Sequence, residues 1–128
     1  MLFRSLTIER NKQAGIGRLW RACGYSWKGL KSAWTEEQAF REEAVLAVVI
    51  LPAALYIGRS GLERAALIAP LFLVLIVELL NSALEAIVDR GGLGKDRLAE
   101  MAKDMGSAAV MLSLALVLTV WILVLAAR

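Results

Sequence analysis

The stretch AALIAPLFLVLIVELLNSALEAIVDR, residues 65–90, decides the fold of this chain. Its first half, Ala65–Val77, contains no polar or charged side chain. Its second half carries polar side chains at steps of three, four and four residues, namely Glu78, Asn81, Glu85 and Asp89. In a helix these steps place the polar groups on one face. An ionised carboxylate in hydrocarbon costs at least ~2.5 kcal/mol, so an acid at the end of an apolar run predicts a functional site.

The composition indicates a membrane protein. Of the 128 residues 59% are hydrophobic, whereas an ordinary soluble domain is nearer half apolar. Basic residues are concentrated before Ala44 and between Arg90 and Lys103, beside the apolar runs, which predicts that both segments lie in the cytoplasm. A nucleic-acid partner is not expected, because the basic residues flank apolar spans rather than forming a soluble surface. The single cysteine and the absence of histidine exclude an internal disulfide and histidine-based catalysis.

Apolar segments predict an all-α membrane protein of one domain, residues 1–128. Membrane helices are expected at about 39–58, 62–89 and 103–127, the first of them lengthened by residues before its short apolar run. Trp121 is expected to anchor the last helix near the outer interface. The three crossings place the N-terminus and the second loop on the cytoplasmic side.

The N-terminal part is predicted to contain a helix on the membrane surface. Over residues 16–35, apolar and tryptophan side chains recur at steps of three and four residues among basic ones. This pattern is typical of an amphipathic helix lying in the plane of the interface. Residues 1–15 are polar and contain Gly15, so a mobile, irregular start is expected there.

Acids and a lysine are expected to converge at the cytoplasmic ends of these helices. They are Glu36 and Glu37 before the first span, Glu78 and Glu85 on the second, and Lys103 and Asp104 before the third. Carboxylates beside a lysine suit Mg²⁺ and a polyphosphate, and the deeper carboxylate could take a proton from a lipid hydroxyl. The same groups are also compatible with a proton relay or a cation exporter. Walker and protein-kinase motifs are absent from the sequence, so a nucleotide site would be of another kind.

A family resemblance is carried by four segments: GYSWKGLKSAW (Gly24–Trp34), AFREE (Ala39–Glu43), ELLNSALEAIVDR (Glu78–Arg90) and AKDMGSAAV (Ala102–Val110). In this order they resemble the prokaryotic diacylglycerol kinase family, from about Arg18 to the C-terminus. The resemblance implies a small three-span enzyme of the bacterial inner membrane, assembled as a homotrimeric helical bundle with active sites between subunits. It also implies transfer of the γ-phosphoryl group of ATP to a lipid alcohol with Mg²⁺ as the cofactor.

The resemblance implies roles for individual residues. Glu78 corresponds to the general base that acts on the primary hydroxyl of diacylglycerol, and Asn81 supports the active site. Glu37 and Glu85 correspond to the acids that coordinate the metal. The nucleotide is expected to contact Arg18, Tyr25, Glu37, Glu85, Lys103 and Asp104. The lipid is expected to contact Ser26, Trp27, Glu78 and Ser107.

More than one function is compatible with these residues. The preferred hypothesis is direct phosphorylation of diacylglycerol to phosphatidic acid at the cytoplasmic membrane face, without a phosphoenzyme. The first alternative is an undecaprenol (polyprenol) kinase of the same family, although GYSWKGLKSAW resembles the diacylglycerol branch more closely. The second is a small proton-coupled membrane transporter with Glu78 as its relay. The lack of a fourth predicted span and the additional acids at the cytoplasmic edge argue against a transporter. A non-enzymatic assembly factor would leave the polar stripe unexplained.

Overall fold

The described chain is built from helices alone. A computed structural model describes the backbone of residues 2–92 and 96–128, and the side chains of residues 15–92 and 96–128. Within these residues no strand occurs, which confirms the prediction of an all-α protein. The helices are α1 (Leu2–Glu36), α2 (Gln38–Ile57), α3 (Gly61–Arg90) and α4 (Arg97–Ala126).

α1 lies in a unit of its own, residues 1–36, and the other helices form a second unit, residues 37–128. The helix begins at Leu2 rather than at residue 16, so helical backbone extends through the stretch expected to be irregular. Gly15 does not stop the helix, because a glycine in a helix costs only about 1 kcal/mol relative to alanine. Side chains on α1 such as Trp20 and Trp27 are largely exposed. The mobility of residues 1–15 stays a prediction.

α2 begins with charged residues and ends with apolar ones. Glu37 precedes it in an extended conformation, and Arg41, Glu42 and Glu43 occupy its first turns. Because of these three charges, α2 is not among the helices of the described chain that are apolar enough to cross a membrane, whereas α3 and α4 are. Two apolar helices of spanning length indicate a membrane protein. The crossing by α2 stays a prediction.

α3 packs against both α2 and α4 and is the middle helix of its unit. Its buried side chains include Leu67, Leu71, Val74, Glu78 and Val88, which recur with the period of a helix and therefore lie on one face. This face continues directly into the polar stripe seen in the sequence. The packing of α3 thus turns the first acid of that stripe toward the neighbouring helices.

The ends of α3 are determined by local hydrogen bonds and by glycine. Ser60 caps the start, because its hydroxyl accepts a hydrogen bond from the backbone N–H of Glu63 at 3.1 Å. The carboxylate of Glu63 in turn accepts one from the backbone N–H of Arg59 at 2.6 Å, an arrangement close to a capping box. After Arg90 the chain turns at Gly92, whose φ of +63° favours glycine over any residue with a side chain.

A hydrogen bond between helices fixes α4 against α3 far from the polar stripe. The indole N–H of Trp121 donates to the backbone carbonyl of Leu67 at 3.1 Å. In lipid the hydrophobic effect does little to drive helices together, so close packing and bonds of this kind hold them. Arg128 strengthens the same end, since its guanidinium donates to the carbonyl of Ile57 and lies 3.5 Å from the carboxylate of Glu63.

Candidate active site

Glu78 is a buried acid, with 5% of its surface exposed. It lies one turn beyond Val74 on the inward face of α3, so the packing that buries Val74 also buries the carboxyl group. The carboxyl group of Glu43, on α2, lies next to it, close enough for the two groups to interact. A carboxylate has no proton to donate, so a hydrogen bond between two carboxyl groups requires a proton on one of them. The predicted catalytic acid is therefore one half of a pair.

Glu43 is a site residue that sequence reasoning missed. In the sequence it belongs to the segment AFREE, and its residue type and position there do not predict a role in the site. It lies three residues after Phe40 and eleven before Ala54, and the burial of these two residues is known only from the structure. These steps place Glu43 on the inward face of the helix. One of its carboxylate oxygens, Oε2, is buried without a hydrogen-bond partner among the described residues.

Glu37 and Glu85 lie near the pair formed by Glu43 and Glu78. Both carboxylates are close enough to Glu78 to interact with it electrostatically. Glu37 immediately precedes α2 and, within the described chain, does not use its side chain to cap that helix. Glu85 follows Glu78 by two turns on the same face of α3. The structure thus brings acids of α3 together with acids at the start of α2.

The donors in this region are oxygen atoms of carboxylates and of the Asn81 amide. Among the described residues, no group of three or more acidic, histidine or cysteine side chains is arranged to hold a metal ion. Mg²⁺ does not need such a group, because it is usually bound by one or two carboxylates together with phosphate oxygens and water. The donor set therefore fits a magnesium ion that binds together with a polyphosphate.

Asn81 lies between Glu78 and Glu85 along α3. Its Nδ2 donates a long hydrogen bond of 3.5 Å to Oε1 of Glu85. Its Oδ1 points toward α4 and is buried, with no hydrogen-bond partner among the described residues. The side chain is thus held between Glu85 and the neighbouring helix. Its role in support of the site stays a prediction.

Lys103 is joined to α3 by an ion pair. Its Nζ lies 2.7 Å from Oδ1 of Asp89, the last acid of the polar stripe, and both side chains are partly exposed. An ion pair in contact with water contributes at most about 1 kcal/mol, so Lys103 can exchange Asp89 for another anion at little cost. Asp104 and Ser107 are exposed on the same helix. The sequence placed Asp89 on the stripe but did not identify it as the partner of Lys103.

The remaining predicted contacts lie on α1. Arg18, Tyr25, Ser26 and Trp27 are all exposed there, and the ammonium of Lys28 lies 5.8 Å from the centre of the Tyr25 ring. They belong to the N-terminal unit. Their contacts with nucleotide and lipid stay predictions.

An apolar cavity of about 100 Å³ adjoins Glu43. It is lined by residues of α2, α3 and α4: Glu43, Leu46, Ala47, Ile50, Leu71, Val74, Leu114 and Val117. Glu43 is the one charged group among them. Ligand pockets usually have volumes of about 300–1,000 Å³, so a cavity of this size has room for only part of a lipid chain beside the carboxyl group.

Comparison with known proteins shows which proteins this chain is similar to. Residues 24–125 match the family model described as prokaryotic diacylglycerol kinase. The diacylglycerol kinase of Escherichia coli (strain K12) is 44% identical over 115 residues, covering 90% of this chain and 94% of the relative. The diacylglycerol kinase of Pseudomonas aeruginosa is 46% identical over 113 residues, covering 88% and 92%. That of Haemophilus influenzae is 42% identical over 110 residues, covering 86% and 93%.

Proposed function

The chain belongs to the prokaryotic diacylglycerol kinase family, and from this membership we propose that it phosphorylates diacylglycerol with ATP at the cytoplasmic membrane face. The family model and the relatives named diacylglycerol kinase establish the enzyme class. The observation that supports the chemistry is the burial of Glu78 beside Glu43 inside a membrane helix bundle. Burial of an acid in such a bundle is costly, which favours a functional role.

Glu78 acts as the general base in this proposal. The primary hydroxyl oxygen of diacylglycerol attacks the γ-phosphorus of ATP while its proton passes to Glu78. A bond forms between that oxygen and phosphorus, and the bond from phosphorus to the bridging oxygen of ADP breaks. The products are phosphatidic acid and ADP, without a phosphoenzyme. With the shared proton on Glu43, Glu78 is the carboxylate of the pair and is able to accept the proton of the lipid.

The other predicted residues bind and orient the nucleotide. Glu37 and Glu85 would hold Mg²⁺, which supplies neutralisation of negative charge on the β- and γ-phosphates when it is bound. Lys103 leaves its weak ion pair with Asp89 and contacts a phosphate oxygen, while Asp104, Arg18 and Tyr25 complete the nucleotide contacts. Catalysis is then mainly positioning and electrostatics, as is general for phosphoryl transfer.

The lipid enters from the membrane in this proposal. Part of an acyl chain lies in the apolar cavity beside Glu43, so that the hydroxyl group lies next to the carboxyl pair. Ser26, Trp27 and Ser107 contribute further lipid contacts. The named relatives act on diacylglycerol by their descriptions, which supports this substrate over a polyprenol.

We also propose three crossings and a homotrimer in the bacterial inner membrane, with the N-terminus and the second loop in the cytoplasm. The exposure of large apolar side chains on α3 and α4, such as Phe72, Ile76, Leu118 and Ile122, supports contact with lipid or with other copies. A site between subunits would also give the polar groups of the stripe more cover than one chain provides.

A direct assay tests the proposal. The purified protein in lipid-containing micelles is given γ-labelled ATP and either diacylglycerol or undecaprenol, with Mg²⁺ or with a chelator. Labelled phosphatidic acid that depends on Mg²⁺ is the expected product. Labelled polyprenyl phosphate in place of phosphatidic acid would replace the substrate assignment, and the absence of any labelled lipid would contradict the proposal.

A further inference from the structure

Gly106 lies on α4 directly opposite Asn81. A Cβ atom at this position would overlap Oδ1 of Asn81 and would come within 3.2 Å of its Cγ. Gly61, by contrast, has no neighbour within 4 Å of such an atom in the described part of the chain. The missing side chain at residue 106 is therefore what allows the amide of Asn81 to approach the backbone of α4.

The amide of Asn81 is held on two sides. Its Oδ1 lies against Gly106, where the Cα–H groups of glycine offer only weak hydrogen bonds and no stronger partner occurs among the described residues. Its Nδ2 is directed at Oε1 of Glu85. Because the α4 backbone limits where the oxygen can lie, it also sets where the nitrogen points. The hydrogen bond that Nδ2 donates to Glu85 therefore comes from a direction that the α4 backbone determines.

We propose that Gly106 is a positioning residue, which seats Asn81 so that Asn81 orients the carboxylate of Glu85 toward the bound nucleotide and its metal. This inference rests on the function proposed above. It assigns a reason to a glycine that lies three residues after Lys103 and immediately before Ser107. Gly106 acts through Asn81 and touches neither substrate nor metal.

Replacement of Gly106 by alanine is expected to displace Asn81 without unfolding the bundle. The atoms nearest the new methyl group belong to the end of a side chain, and a groove lined by Leu84, Met105 and Ala109 gives that side chain room to move. Alanine also favours the helix more than glycine does. The melting temperature of Gly106→Ala should therefore stay close to that of the unsubstituted protein.

Side-chain NMR tests the position of Asn81 without any measurement of turnover. The sequence contains two asparagines, Asn11 and Asn81, so protein labelled with ¹⁵N-asparagine gives two side-chain amide signals, and Asn81→Ala identifies the second. Gly106→Ala is expected to move the Asn81 signals and to leave those of Asn11 in place. Gly61→Ala is the matched control and should move neither. Unmoved Asn81 signals in Gly106→Ala would overturn the inference, whatever the activity of the protein.

Kinetics test whether the displacement matters at the site. Loss of a residue that orients a metal ligand typically weakens metal use by roughly 10–100-fold, so Gly106→Ala should raise the Mg²⁺ and ATP concentrations needed for half-maximal rate by about tenfold. The KM for diacylglycerol should not change. The double variant Gly106→Ala/Asn81→Ala should be no worse than Asn81→Ala alone, since both changes remove one interaction.

Additive losses in the double variant, or an unchanged requirement for Mg²⁺ and ATP in Gly106→Ala, would overturn the role of Gly106. Failure of the unsubstituted protein to phosphorylate diacylglycerol would instead contradict the proposed function. The NMR result would still decide whether Gly106 positions Asn81.

Discussion

Glu78 and Glu43 belong to different helices, and their contact shows how acids can be held inside an apolar bundle. An isolated charge there is costly, whereas two carboxyl groups that share a proton carry one negative charge and satisfy part of each other's hydrogen-bonding needs. Spacing along α3 was sufficient to select Glu78 from the sequence. Selection of Glu43 required the rotation of α2 against α3, which no local pattern contains.

Glu78→Gln is expected to lower kcat by at least about 100-fold, because glutamine cannot accept the proton of the lipid hydroxyl. Formation of labelled phosphatidic acid measures this loss, and size-exclusion chromatography verifies assembly. The matched control is Glu42→Gln, since Glu42 is exposed and bonds to Gln38 within its own helix. A Glu78→Gln protein that keeps normal turnover would disprove the role of Glu78 as base.

Two replacements of Glu43 test its contact with Glu78. Glutamine at this position can still donate a hydrogen bond to Glu78, whereas alanine cannot. Glu43→Gln should therefore retain roughly 10- to 150-fold more of the original kcat than Glu43→Ala, which corresponds to the contribution of one hydrogen bond to a charged group, about 1.5–3 kcal/mol. Steady-state assays at saturating diacylglycerol compare the two variants. Equal activities would show that the contact with Glu78 has no part in catalysis.

At the scale of elements, α3 is the helix that both α2 and α4 contact. Its apolar face packs on α2 and α4, and its polar stripe meets Lys103 at one end through Asp89. The period of the sequence predicted which residues of α3 share a face. The start of α1 was less predictable, because glycine weakens a helix without determining where it ends.

Trp121 joins α4 to α3 in addition to its expected role as an interface anchor. Trp121→Phe keeps an aromatic ring but loses the hydrogen bond to the carbonyl of Leu67. Bonds between membrane helices contribute about 0.6 kcal/mol on average, so a small loss of unfolding free energy is expected. Reversible unfolding in mixed micelles measures it. Trp20→Phe, at an exposed position on α1, is the control and should show no loss; an equal effect in both would indicate that the bond contributes nothing.

At the scale of the whole molecule, the proposed function depends on the direction in which the chain crosses the membrane. The acids of α2 and α3 can meet nucleotide only if their end of the bundle faces the cytoplasm. If α3 and α4 alone cross the membrane, the chain crosses twice and both of its ends lie on the same side. In the proposed arrangement α2 crosses as well, which gives three crossings.

Cysteine labelling tests this topology. Cys23 is the single cysteine and is exposed, so a membrane-impermeant maleimide should react with it only after the inner membrane is opened. Arg59→Cys in a Cys23→Ser background should react in spheroplasts with intact inner membranes, because the turn after α2 lies outside if α2 crosses. Reaction at both positions from the same side would mean that α2 does not cross the membrane.

Residue types and their spacing were enough to predict the helical class, the apolar segments, the stripe from Glu78 to Asp89 and the family. These features depend on residue type and on a repeat of 3.6 residues, both of which can be recognised in the linear amino-acid sequence. Only the tertiary structure decided that Glu43 faces Glu78, that Lys103 pairs with Asp89 and that Gly106 admits Asn81. Each of these contacts depends on the rotation and approach of two helices, and that geometry results from the packing of whole surfaces rather than from any one segment.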